Sequence, residues 1–350
     1  MRGEAADRAP RAWAETVGAR RRWQRLVEWV QQPRVKRVLL AAFLLVVLGL
    51  LADHARGIDW PAVWASMRRS PPQVLLQAAA IAALAHLVYS SFDLIGRWHS
   101  GHALPVARVA GVGFASYAFN INLGSLVGGI ALRYRLYARF GLDLGTVTDI
   151  VALSMLTNWL GYMAVAGVVF LWRPLALPPD WNLDSDGLRL LGAALLAVVT
   201  AYGLACRLAT KRVWRVRGRA LALPSGRMAA VQFAIASTNW LLIAAVVWTA
   251  LQGRIDYPTV LSVLLIAAVA GLVTHVPAGL GVIEAVFVAL LSHRLPSTEL
   301  LGALLVYRAI YYIVPLCLAA PLALWLDARA THVGGQPAPR QASGLPKTRD

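Results

Sequence analysis

The chain carries apolar stretches of near-span length at about 37–53, 73–95, 147–172, 188–208, 228–251 and 299–326. Crossing the hydrocarbon of a bilayer takes roughly 20 apolar residues in a helix that rises about 1.5 Å per residue. Lipid offers no partner to an exposed peptide group, so stretches of this kind fold as bundled helices. Apolar residues make up 58% of the sequence and charged ones 15%, against roughly 45–50% and 25% in soluble domains. A soluble nucleic-acid binder is therefore excluded despite a net charge of +17. The expected fold is all-α: a polytopic integral membrane bundle of about six full spans plus two re-entrant or broken helical hairpins.

Lysine and arginine in short loops set the orientation of such a bundle. Residues 207–219 hold six cations and no acid, and residues 1–37 hold ten cations against four acids. The loop 173–187 carries Arg173 against Asp180, Asp184 and Asp186, and 252–257 carries Arg254 against Asp256. Both termini, 96–108 and 207–219 are thus assigned to the cytoplasm, and 173–187 and 252–257 to the outside.

Two further apolar stretches, 106–131 and 258–292, are interrupted by Gly, Pro and Asn. A single crossing by the first would put the six-cation loop outside and the acidic loop inside. A hairpin that enters from the cytoplasm and turns within FNINLGSLVGG (119–129) removes that conflict. By the same parity, the second stretch enters from outside, breaks at THVPAGLG (274–281) and returns by 293–298. Irregular backbone at membrane depth is confined to the protein interior or a wet cavity. Interrupted segments in matching positions point to a transporter's binding site; the plain alternative is kinked spans packed closely on glycine.

Residues 1–36 read as a basic cytoplasmic arm in which Trp23, Leu26, Val27 and Val30 recur at helical spacing among arginines. That is either an amphipathic helix on an anionic leaflet or a solvated tail. Residues 37–327 form the membrane domain, and 328–350 a disordered cytoplasmic tail. Cys206 and Cys317 both lie in apolar segments, which leaves no disulfide framework.

Charges within apolar segments are the candidate functional groups. Arg308 lies about nine residues into the last stretch and Glu284 just past the second break, so the two are expected to pair. The pair either orients two helices or lets Arg308 share its planar fork with a phosphate. Arg133 and Arg135 follow Gly128 and Gly129 at the mouth of the first hairpin, as positive-inside anchors or lipid-phosphate contacts. Asn158 in LTNWLGYMAVAGVVF (156–170) and Asn239 in STNWLLIAAVVW (237–248) mark a parallel repeat, as interhelical glue or as substrate contacts. Tyr307 and Tyr311 fill helix contacts or face a ligand. His275 beside Pro277 is either simply hydrogen-bonded or a proton relay. No nucleophile–base pair, metal cluster or nucleotide-binding loop is visible, so no catalytic residue, metal or cofactor is expected and the chain does not read as an enzyme.

Three stretches carry a resemblance: FNINLGSLVGGIALRYRLYARFGL (119–142), HVPAGLGVIEAVFVALL (275–291) and YRAIYYIVPL (307–316). They resemble the signatures of the lysylphosphatidylglycerol synthase transmembrane-region family, above all its YbhN-like inner-membrane branch. On this resemblance Asn120, Gly128, Gly129 and Arg133 fall on the first motif, Pro277, Gly279, Gly281 and Glu284 on the second, and Tyr307, Arg308 and Pro315 on the third. Many relatives carry a proline where this chain reads Leu123-Gly124-Ser125. About 24 residues follow the last span, so aminoacyl transfer is not expected.

The resemblance implies a multi-pass inner-membrane protein that moves or hands off anionic phospholipid, in the manner of a flippase. The candidate substrate contacts are Asn120, Asn122, Gly128, Gly129, Arg133, Arg135, Asn158, Asn239, His275, Pro277, Gly279, Gly281, Glu284, Tyr307, Arg308 and Tyr311. The alternative is a non-transporting partner or scaffold of a lipid-synthesis or lipid-export system. The expected partners are membrane phospholipids and, under that alternative, a phospholipid-synthesising enzyme or a periplasmic lipid carrier; nucleic acid is not among them.

Overall fold

A computed structural model describes residues 60–175, 177, 184–209, 213–216, 219–274 and 279–333. The chain divides into two compact units, 1–58 and 59–350. The first lies outside the described residues, and with it the expected basic arm and the expected span at 37–53.

Described elements begin with α1 (Trp60–Arg69), α2 (Pro72–Ser90) and α3 (Phe92–Ser100). The first interrupted stretch follows as α4 (Val106–Leu123), a π-helical segment π1 (Ser125–Ala131) and α5 (Leu132–Arg139). Then come α6 (Leu144–Trp172), α7 (Ser185–Leu208), β1 (Val213–Val216), β2 (Arg219–Ala222) and α8 (Gly226–Ala250). The second interrupted stretch forms α9 (Tyr257–Thr274) and α10 (Val282–Leu291). A long final helix runs through α11 (Ser297–Arg308), π2 (Ala309–Ile313) and α12 (Val314–Val333).

Six described stretches are long and apolar enough to cross a membrane: 72–100, α6, α7, α8, α9 and 297–330. Five coincide with expected spans. The sixth, α9, is the outbound leg of the second interrupted stretch and is followed by a return helix of only 10 residues. A short antiparallel hairpin, pairing Val213 with Ala222 and Val216 with Arg219, occupies the basic segment read from sequence as a loop. Helix α12 ends at Val333, beyond the expected boundary at 327.

The core is built on small residues, as membrane helix packing requires in the absence of a hydrophobic driving force between helices. Ala78, Ala82 and Ala85 recur at helical spacing along α2 and are fully or almost fully buried, and α2 packs extensively on α8. The repeated segments of α6 and α8 also lie against each other. A methyl group added at Gly161 would stand 2.4 Å from the Ala236 Cβ. One turn earlier on both helices the Gln232 amide donates to the Thr157 hydroxyl at 2.9 Å. The matched step of four residues makes this a parallel pair, as the repeat implies.

Both interrupted stretches are hairpins. Helix α4 stops at Gly124, whose φ of +86° is glycine territory. The return leg then lies directly on α4: a Cβ at Gly128 would fall 2.2–2.4 Å from backbone atoms of Phe119 and Asn120. At the mouth, the Arg108 guanidinium sits 5.6 Å over the Phe140 ring, and the Tyr137 hydroxyl oxygen lies 3.5 Å from the Val109 carbonyl oxygen. The second hairpin closes in the same way, with Arg294 after α10 paired at 3.3 Å to Asp256 just before α9.

The final helix shows that the two hairpins open at opposite ends. Near its start Glu299 bonds Arg254, at the mouth of the second hairpin. Near its finish Asp327 pairs with Arg135 at 3.0 Å and Arg139 at 3.4 Å, at the mouth of the first. Some 40 Å of helix, at about 1.5 Å per residue, separates the two acids, close to the thickness of a bilayer with its headgroup layers.

Candidate functional site

The tips of the hairpins arrive at one turn of the final helix. Asn122, in the last turn of α4, donates its side-chain amide to the Tyr312 carbonyl at 3.1 Å and to the Ala118 carbonyl at 2.8 Å. From the other tip, the Gly279 carbonyl accepts from Arg308 Nη2 at 2.9 Å. Arg308 immediately precedes π2 and Tyr312 lies within it, where the helix takes a wider turn. Such π-helical turns recur at functional sites. Gly279 and Gly281 hold φ of +57° and +77°, which lets the second tip bend sharply ahead of α10.

Arg308 is 7% exposed and pairs with Glu284, as its place in the sequence predicted. Its Nη2 donates to Glu284 Oε2 at 2.9 Å, and its Nε bonds Oε1. The guanidinium also lies 5.5 Å from the centre of the Tyr312 ring. A planar fork held by a carboxylate and a carbonyl is the geometry that also suits phosphate oxygens.

Aromatic rings extend this site toward the other half of the bundle. Tyr307 stacks on Tyr311, and the Tyr311 hydroxyl meets that of Tyr117 at 2.8 Å. Tyr117 stacks on Tyr89 with ring centres 3.5 Å apart, and His86 sits 4.7 Å from Tyr311 and 5.2 Å from Tyr117. Among the described residues, the buried atoms His86 Nε2 and Asn122 Oδ1 have no hydrogen-bond partner. Buried polar atoms are usually satisfied, so this core carries unspent hydrogen-bonding capacity.

A second buried ion pair anchors the return leg of the first hairpin. Arg133, 2% exposed, donates Nε to both oxygens of Asp93 at 3.1 and 3.0 Å and Nη1 to the Gly129 carbonyl at 2.8 Å. Tyr137 donates to Asp93 at 2.9 Å. Among the described residues, no cluster of three or more His, Cys, Asp or Glu has the arrangement of a metal site.

A family model of the lysylphosphatidylglycerol synthase transmembrane region matches residues 35–319, which take in both hairpins and π2. The chain belongs to that family. It is 41% identical over 296 residues to the inner membrane protein YbhN of Escherichia coli (strain K12), covering 84% of this chain and 93% of that protein. It is 28% identical over 295 residues to the uncharacterized protein slr0712 of Synechocystis, covering 83% and 91%. A shorter match, 36% over 89 residues, is to a phosphatidylglycerol lysyltransferase of Staphylococcus haemolyticus, covering 24% of this chain and 11% of that protein.

In this member of the lysylphosphatidylglycerol synthase transmembrane-region family, the three sequence motifs meet at one place. The first forms one tip, the second the other, and the third the turn they share. Of the candidate contacts, Asn122, Gly279, Glu284, Tyr307, Arg308 and Tyr311 gather there. Asn120 lies at the first tip against Gly129, where an added Cβ would be 2.9 Å from its Oδ1. Gly281 caps α10. Arg133 is committed to Asp93, Arg135 to Asp327 at the hairpin mouth, and the Asn158 carbonyl accepts from Trp240 Nε1 at 3.2 Å. Asn239 is fully buried on α8. His275 and Pro277 lie outside the described residues.

Sequence reasoning did not bring Tyr89, Tyr117, Tyr137 or Asp327 into the polar framework, and it left Asp93 without a partner. The available signal was Asp93 itself, an acid in an apolar segment that calls for a cation at matching depth.

Proposed function

We propose that this protein moves phospholipid, with a preference for anionic headgroups, between the leaflets of the bacterial inner membrane. The observation that carries the reading is the convergence of two opposed hairpin tips on a buried, carboxylate-held arginine. A headgroup entering between the tips would replace Glu284 as the partner of Arg308. Hydroxyls of Tyr307 and Tyr311 and the amide of Asn122 would complete its hydrogen bonds while the acyl chains stay in lipid. Because Arg308 is almost fully covered, the tips must part for this exchange, and each hairpin can yield toward its own side. The inner-membrane assignment is supported by the similarity to YbhN.

The test is reconstitution of the full chain in vesicles containing fluorescent phosphatidylglycerol, with dithionite quenching of the outer leaflet. The expected result is movement well above that of protein-free vesicles, lost in Arg308→Ala and reduced in Asn122→Ala. Wild-type movement equal to empty vesicles would overturn the reading.

A further inference from the structure

We propose a second lipid site at the rim of the bundle: the groove between the end of α7 and the start of α8 holds the headgroup of an anionic phospholipid. It shares no residue with the hairpin tips and does not depend on the transport reading. The groove encloses about 820 Å³. Arg207 and Arg227 stand at its mouth, Ser225 and Thr200 supply hydroxyls, and Leu204 and Phe233 form apolar walls.

The polarity of the groove is graded along the helices. Phe233 lies six residues beyond Arg227 and Thr200 seven before Arg207, so the groove reaches about 9–10 Å inward from the arginines at 1.5 Å per residue. Cations at the rim above an apolar wall match a phosphate above its acyl chains. Both arginines are exposed, and among the described residues neither has a carboxylate partner. Helix α7 is the least buried of the six apolar stretches, so lipid reaches the groove from the side. In sequence, Arg207 is followed by five further cations and no acid by residue 219. Basic pockets between membrane helices on the cytoplasmic side bind phospholipid headgroups in this way.

The full chain, purified in detergent, is titrated with phosphatidylglycerol or phosphatidylcholine while its melting temperature is followed. Phosphatidylglycerol is expected to stabilise it and phosphatidylcholine to do so far less. Arg207→Ala with Arg227→Ala should weaken the apparent affinity about 30-fold, from the contribution of two cations near an anionic headgroup. Arg108→Ala with Arg329→Ala removes two cations at the same end but outside the groove, and should change affinity less than about threefold on the same scale. Gly203→Leu keeps both arginines and narrows the groove beside Phe233, whose Cε2 lies 3.6 Å from an added Cβ; it should weaken the stabilisation. Equal effects of the two lipids, equal protection by free glycerol phosphate, or wild-type binding in Gly203→Leu would overturn the proposal. So would equal losses in the two double variants.

Discussion

The side-chain amide of Asn122 donates to the backbone carbonyl of Tyr312 at 3.1 Å, across 190 residues of sequence. This bond ties the tip of the hairpin that opens beside Asp327 to the helical turn just past Arg308, which the opposite hairpin grips. The two halves of the fold are joined where the final helix departs from α geometry.

Among the described residues, the Asp93–Arg133 pair is more deeply buried than Glu284–Arg308, with both side chains 3% exposed or less. Removing one partner of a buried pair strands a charge and costs about 3–5 kcal/mol, whereas replacing both by apolar residues is often neutral. Asp93→Ala and Arg133→Ala are each expected to be strongly destabilised. Asp93→Leu with Arg133→Met should recover most of the loss. Thermal unfolding in detergent, arranged as a double-mutant cycle, measures this.

Glu284→Gln behaves differently. It keeps one acceptor for Arg308, its amide nitrogen being unable to accept the second bond, while removing the charge that competes with a phosphate. Lipid movement in Glu284→Gln vesicles is expected to show tighter retention of anionic lipid and slower release, and Glu284→Ala a loss of stability near 3 kcal/mol.

Gly128 tests the first hairpin. Its Cβ would overlap backbone rather than a movable side chain, so Gly128→Ala forces the two legs apart. Gly271, within α9, has nothing within 4 Å of the same added atom. There, alanine should be neutral or stabilise by about 0.5–1 kcal/mol through its better helix propensity. The contrast between the two melting temperatures is the readout.

Topology is open to direct labelling. With the native cysteines replaced, Ala138→Cys at the first hairpin mouth and Ser292→Cys at the second should react with membrane-impermeant maleimide from opposite sides. Labelling of both from one side would contradict the opposed hairpins.

Asp256 gives the second hairpin a pH dependence. Partial burial pushes its carboxyl group up, but hydrogen bonds from Thr259 and the charges of Arg173 and Arg294 outweigh this and hold it below the usual aspartate value. A carboxyl lowered by folding contributes stability above its unfolded pKa of about 3.9, and that contribution fades as pH falls through the lower folded value. The wild type should therefore exceed Asp256→Asn in melting temperature at pH 6, with the gap closing as pH falls below the unfolded value of about 3.9 and through the lower folded one.

Much of this architecture was legible without coordinates because charge parity is a long-range rule read from local counts. The first interrupted stretch could not cross singly without inverting the loop 207–219, nor the second without putting the end of the last span outside, and both prove to be hairpins. Glu284 and Arg308 were pairable because they flank one loop and lie at similar depth. Asp93 and Arg133 were harder, since the depth of Arg133 depends on where Gly124 turns the chain. The aromatic column was opaque for another reason: Tyr89, Tyr117 and Tyr311 stand on three different elements, and apolar segments without a clear polar face do not announce which side of each helix looks inward. That the tips share one turn could not be read at all, because no pattern in YRAIYYIVPL signals a π-helical segment.

That segment sets the phase between the two halves of the final helix. A helix missing one residue there would rotate its later half by roughly 100° relative to the earlier one. Asp327 would swing away from Arg135 and Arg139 while Glu299 and Arg308 kept their places. Five residues around Tyr311 thus act as the clocking piece of a camshaft, and a single-residue deletion between 309 and 313 would leave every span intact yet uncouple one hairpin from its acid.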